Sequence, residues 1–148
     1  MRAVVTRVRS ACVTVEGKTV GRIGEGLLIL LAVHRDDTRA EAEKLAKKIC
    51  SLRIFEDGAG KMNLGLAEEG GSVLVVSQFT LYGNCAHGRR PEFLASARPE
   101  TAIPLYEYFI SLCREAGFET QTGIFGADML VTSENDGPVT LILDTDQL

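Results

Sequence analysis

Two short segments concentrate the side chains whose type and spacing suit chemistry. Ser77-Gln78-Phe79-Thr80 closes an apolar run with three polar groups, and Asn135-Asp136-Gly137-Pro138 interrupts another. Read as the end of a strand, the first would put Ser77, Phe79 and Leu81 on one face and Gln78 and Thr80 on the other. Such polar groups at the mouth of a sheet either satisfy loop backbone or orient a ligand, with backbone N–H groups left to hold an anionic centre. The second segment has the composition of a plain turn, yet Pro138 leads straight into Val139-Thr140-Leu141-Ile142, where its missing N–H weakens strand pairing. Arg7 reads as an exposed charge on the first strand. Arg89-Arg90 is either a phosphate contact or solvated surface.

Other chemistries find no support. Any Ser-His-Asp or Cys-His arrangement would have to use His34 or His87, and both fall in polar loop sequence. With two histidines and no C-x-x-C pair among Cys12, Cys50, Cys85 and Cys113, no metal site is expected. Neither a G-x-x-x-x-G-K-[ST] loop nor a G-x-G-x-x-G turn into a helix is present, so no nucleotide cofactor is expected either. The scattered cysteines read as reduced thiols of a cytosolic protein. A net charge of −4 gives no global footprint for nucleic acid, so any such contact must be local.

The elements that must position these residues follow from pattern. At 148 residues and 45% hydrophobic content, one domain spanning 1–148 is expected. No secretory signal and no membrane span is visible; the apolar run Leu27 to Val33 suits a strand buried on both faces. Val13 to Glu16 alternates, Glu16-Gly17-Lys18 turns, and Thr19 to Ile23 returns. Thr38 and Glu41 form a capping box ahead of a helix whose apolar stripe is Ala42, Leu45, Ile49 and Leu52, with Lys44, Lys47 and Lys48 pairing Glu41 and Glu43 on its other side. A short strand at Ile54-Phe55 and a strong one over Val73 to Thr80 come next. A second helix is expected from about Thr101 to Ala116, with Pro104 in its first turn and Leu105, Phe109, Leu112 and Ala116 facing inward. Strands over Asp128 to Thr132 and Val139 to Leu143 close an α+β chain.

Taken together, Ser77-Gln78-Phe79-Thr80 and Asn135-Asp136-Gly137-Pro138-Val139-Thr140 resemble the paired motifs of the D-aminoacyl-tRNA deacylase family, the D-tyrosyl-tRNA(Tyr) deacylases. The likeness extends through Arg7-Val8, Val13-Thr14-Val15-Glu16-Gly17, Arg53-Ile54-Phe55, Gly60-Lys61-Met62-Asn63-Leu64, Gly70-Gly71-Ser72-Val73, Arg90-Pro91 with Phe93, and Ala127-Asp128-Met129. Glu92 departs from it, standing where a small polar residue is expected.

The resemblance implies two mostly antiparallel, barrel-like sheets packed with two main helices, in a cytoplasmic homodimer without cofactor. It implies hydrolysis of the ester joining a D-amino acid to the 3′-terminal adenosine of tRNA, and removal of glycine mischarged on tRNA(Ala). Carried over, Ser77, Gln78, Phe79 and Thr80 form the catalytic pocket. Gly137 and Pro138, joined by a cis bond, reach from one subunit into the other's pocket; Arg7 buttresses that corner, and Met129 joins the substrate-binding set. A backbone wall there would exclude an L side chain and admit hydrogen. Two readings remain beside it: a small-ester hydrolase using Thr80 or Ser77, and a non-catalytic module for RNA ends or nucleotides.

Overall fold

The computed structural model describes residues 1–148. Its longest elements are the strands β1 (Arg2–Val15) and β8 (Leu130–Asp144), paired antiparallel along most of their length. On its other side β1 pairs with β2 (Lys18–Ile23) through its second half and with β3 (Gly26–Ala32) through its first. The sheet continues through β6 (Ser72–Ser77) to β7 (Thr120–Thr122), in the order β2-β1-β3-β6-β7. It curls until its ends approach: a Cβ on Gly21 of β2 would lie 2.4 Å from the Thr122 carbonyl of β7. β4 (Phe55–Glu56) and β5 (Met62–Leu64) form a separate small antiparallel pair.

The α+β class, the barrel-like shape and two sheets whose pairings are mostly antiparallel are as expected. The large sheet is mixed, with β3-β6 and β6-β7 parallel. Parallel neighbours need a crossover, and the helices supply it. α1 (Arg39–Cys50) and the single turn α2 (Leu66–Glu69) lie between β3 and β6, and α3 (Pro99–Glu115) lies between β6 and β7.

The two faces of this sheet explain the unbroken apolar run of β3. Ala3, Val5, Leu27, Ile29, Leu31, Val73 and Val75 pack under α1 and α3 in the main core. Leu28, Leu74, Val76, Ile23, Val8, Ala11 and Val13 form the second core. α1 carries the capping box: the Ala40 N–H donates to the Thr38 hydroxyl, and the Thr38 N–H donates to Glu41 at 2.7 Å. It buries Ala42, Leu45, Ala46 and Ile49; Leu52 packs on the core from beyond the helix end. The expected lysine–glutamate pairs are replaced by longer reaches. Lys44 donates to the Thr145 carbonyl, Glu43 accepts from the Tyr108 hydroxyl, and Glu41 is engaged by Thr38.

α3 starts at Pro99, so Pro104 is its sixth residue rather than part of its first turn. It is exposed, and the Glu100 carbonyl it leaves unpaired is open to water. The buried stripe is Ala102, Leu105, Tyr106, Phe109, Ile110 and Cys113; Ala116 is exposed.

Candidate active site

The expected strand over Val73 to Thr80 ends at Ser77, and the chain turns at once into a 3₁₀ helix, Phe79–Tyr82. The face assignment based on strand alternation therefore fails beyond Ser77. Three contacts from elsewhere hold the turn. The Gln78 N–H donates to the Leu31 carbonyl at 2.8 Å, keeping register with β3 for one more residue. The Ser96 hydroxyl donates to the Phe79 carbonyl at 2.8 Å. Arg2 donates to the Leu81 carbonyl at 2.9 Å while its guanidinium pairs with Asp144 at 2.7 Å and lies over the Tyr82 ring. Burial raises the Asp144 carboxyl, but the Asp146 N–H and Arg2 outweigh it and hold the group below the usual carboxylate range.

This turn borders a cleft of about 670 Å³. Ser77, Gln78 and Phe79 line one wall; Phe93, Ser96 and Met129 are among the other lining residues. Phe79 and Phe93 meet edge to face with ring centres 5.2 Å apart, both rings accessible. Tyr106 also lines the cleft, but its hydroxyl donates to the Val75 carbonyl at 3.0 Å, and burial pushes it up to about 12. It is a wall, not a proton carrier. Sequence pattern points to Leu105 in this helix; Tyr106 is found through the stripe 102, 106, 109, 113.

Thr80 is not among the lining residues, and its hydroxyl accepts from the Gln78 amide at 2.5 Å. His34 and His87 also lie outside the lining; His34 abuts Tyr82 and takes the Asp36 N–H on Nδ1.

The second motif is neither a plain turn nor a break between two strands. β8 runs through it as one irregular strand: Thr6 pairs with Thr140 and Val8 with Asn135, so Arg7 alone faces the four residues Asp136 to Val139. The surplus is extruded as a bulge bearing Gly137 and Pro138, both exposed and joined by a cis peptide bond. Arg7 is only 4% exposed, against the expectation of a solvated strand charge. Burial is possible because partners reach it from two segments, Ile54 to Glu56 and the bulge itself. Its Nη1 donates to the Ile54 carbonyl at 2.7 Å, its Nε lies 3.0 Å from Asp136 Oδ2, and Nη2 is 3.9 Å from Glu56. The Nε–H is not aimed along the Asp136 line, so that contact is an ion pair without a hydrogen bond. Arg9 pairs with the other Asp136 oxygen at 3.2 Å.

Of the residues singled out in the sequence, the structure gathers Ser77, Gln78, Phe79 and Met129 at the cleft. Arg7, Gly137 and Pro138 come together at the bulge, outside the lining of the chain's own cleft.

A mixed, nearly closed sheet with an apolar cleft beside a 3₁₀ turn defines a small α+β protein whose cleft is the candidate catalytic pocket. The family model described as D-Tyr-tRNA(Tyr) deacylase matches residues 4–144. The D-aminoacyl-tRNA deacylase of Geobacter sulfurreducens is 58% identical over 145 residues, covering 98% of this chain and 95% of that protein. The D-aminoacyl-tRNA deacylase of Thermus aquaticus is 54% identical, over 99% and 97% of the two chains. Among solved structures, a c-Myc DNA unwinding element binding protein superposes with a TM-score of 0.91 at 38% identity, over 97% and 98%. A probable eukaryotic D-amino acid tRNA deacylase shares the fold at TM-score 0.83 and 20% identity, over 96% of this chain and 97% of that one. The chain belongs to the D-aminoacyl-tRNA deacylase family, whose members are hydrolases of the aminoacyl ester bond. No helix is long and apolar enough to cross a membrane.

Proposed function

We propose that this chain, as one domain over 1–148, is a cytoplasmic, cofactor-free homodimer that hydrolyses D-aminoacyl-tRNA and glycine mischarged on tRNA(Ala). The cleft receives the 3′-terminal aminoacyl-adenosine between Ser77-Gln78-Phe79 and Met129. Water adds to the ester carbonyl, the bond to the ribose oxygen breaks, and free amino acid leaves tRNA with its hydroxyl restored. The ribose 2′-OH beside the ester assists the proton transfer. Phe79 and Thr80 open a helical turn, where the first N–H groups have no acceptor within the turn, and these are the donors assigned to the developing oxyanion.

The observation that carries this reading is the 3₁₀ turn bordering the cleft, with Thr80 tied to Gln78. A hydroxyl serving as nucleophile needs an adjacent base, and no histidine lines this cleft. Thr80 therefore positions Gln78 and the turn. Thr80→Ala removes one neutral hydrogen bond, worth about 1 kcal/mol, and kcat is expected to fall about 5- to 10-fold in single-turnover deacylation. A loss beyond about 10³-fold with analogue binding intact would make Thr80 the nucleophile instead.

Selection by hand is assigned to the Gly137–Pro138 corner of a second copy, which excludes an L side chain from the neighbouring cleft and lets hydrogen pass. Two features support placing it in trans. The corner lies outside the lining of its own chain's cleft. β8 pairs only with β1, and its long free edge is accompanied by Leu130 and Ile142, 67% and 74% exposed, as suits an interface strand.

Matched D- and L-aminoacyl-tRNA incubated with the protein test the reading: rapid release from the D ester and none above background from the L ester is expected. Equal release from both, or cleavage of free small esters alone, would point to a general esterase. Retention of charged tRNA without release would leave a binding module.

A further inference from the structure

We infer that Arg89 and Arg90, on the hairpin at the rim of the cleft, contact the backbone phosphates of the RNA strand whose 3′ end occupies the cleft. This rests on the deacylase reading above and extends it from the terminal nucleoside to the rest of the acceptor end.

The hairpin is a built loop. Asn84 and Glu92 exchange backbone hydrogen bonds, Asn84 N–H to Glu92 carbonyl at 2.8 Å and the reverse at 3.1 Å, closing residues 85–91 between them. It adjoins the cleft through Phe93, which follows that closure and packs close to Gly83 before it. Phe93, the next residue, lines the cleft, and a Cβ on Gly83, the residue before, would lie 2.9 Å from the Phe93 ring. Arg98, farther along the same segment, lines the cleft as well.

Charge separates this rim from the rest of the molecule. The chain carries −4, yet residues 84–98 hold three arginines against one acid, Glu92. Glu92 does not neutralise them: its Oε1 accepts from the Asn84 amide at 2.9 Å and its Oε2 from the Leu94 N–H at 3.4 Å. Arg89 and Arg90 are exposed, and neither forms an ion pair within the chain. Two adjacent guanidiniums without protein partners, on a closed loop beside accessible aromatic rings, match how single-stranded nucleic acid is held, by backbone charge together with π surfaces. An aminoacyl-adenosine alone would not use them, because the first phosphates lie upstream of it.

The test compares two substrates, D-aminoacyl-tRNA and D-aminoacyl-adenosine, across about 50 to 200 mM salt, the range over which phosphate contacts respond strongly. The Arg89→Ala/Arg90→Ala variant is expected to lose about tenfold in kcat/KM on the tRNA at low salt, through KM, and nothing on the nucleoside ester. Its log–log salt dependence should flatten by roughly 1.4, about 0.7 for each phosphate contact removed from a single strand. Arg89→Lys/Arg90→Lys keeps the charge and should retain most of the wild-type salt slope. Binding of uncharged tRNA, measured in parallel, should weaken in the alanine variant by the same factor. Equal losses on both substrates, or tRNA binding unchanged by the alanine pair, would overturn the inference. Wild-type protein that binds tRNA in the expected manner but cleaves neither ester would overturn the deacylase reading separately.

Discussion

Gly137→Ala is expected to reduce kcat/KM for D-aminoacyl-tRNA by about 100-fold while leaving a folded protein. Gly137 sits at φ +117°, a conformation an L residue rarely adopts, so alanine introduces backbone strain of about 1–3 kcal/mol. There is no room for the new methyl group either. Its Cβ would lie 2.9 Å from both the Val139 amide nitrogen and Cγ2, and 3.0 Å from Arg7 Nη2. Backbone and a buried guanidinium cannot yield like the end of a flexible side chain, so the bulge itself must move. The bulge is exposed, and its displacement costs less than a core defect of similar size would. If the corner orients the reacting ester as proposed, a shift of order 1 Å there is enough for about 10²-fold in rate. Deacylation kinetics and a thermal melt measured on the same preparation separate the two effects. Activity within threefold of wild type in a folded Gly137→Ala protein would remove the corner from the reaction. A large activity loss with monomers in solution would place the damage in assembly.

The sequence and the structure diverge where distant partners outvote local pattern. The capping box of α1 and the doubly buried β3 were legible because their signals are local: a side chain three residues from its backbone partner, and a run with no polar interruption. The 3₁₀ turn was not. Ser77 to Leu81 keeps a strand-compatible alternation, and what bends the chain comes from Ser96 and Arg2, far away in sequence. β7 is three residues long and all three side chains are polar, too little for periodicity, and its parallel pairing depends on the crossover through α3. Gly-Pro at a strand start marked residues 137–138 as unusual, whereas only the β1–β8 register shows four residues standing opposite one. The cleft itself was half legible. Its polar turn was named, but Tyr106 and Ser96 carry no motif and are brought there by packing.

Arg7 tests how much of that bulge is held from behind. Arg7→Ala is expected to destabilise the fold by about 2–3 kcal/mol, lowering the melting temperature by roughly 5–10 °C for a chain of this size. The largest part is the Ile54 carbonyl, which loses a charged donor at 2.7 Å in a buried setting. Asp136 adds less, because its side chain is about one-third exposed and Arg9 still reaches its other oxygen. Deacylation should fall at least tenfold beyond what stability explains, since the guanidinium that Gly137 packs against is gone and the corner can relax into the space. Arg7→Lys should fall between the two. An ammonium can stay near Asp136, but it lacks the fork that reaches Ile54 and Asp136 together. Melts and D-ester kinetics on wild type, Arg7→Lys and Arg7→Ala should therefore rank in that order on both axes. Should Arg7→Ala melt within 1 °C of wild type, the buried charge would not be holding the bulge. If it melts low yet turns over the D ester normally, Arg7 supports the fold alone, and the shape of the corner must be set by β8 itself.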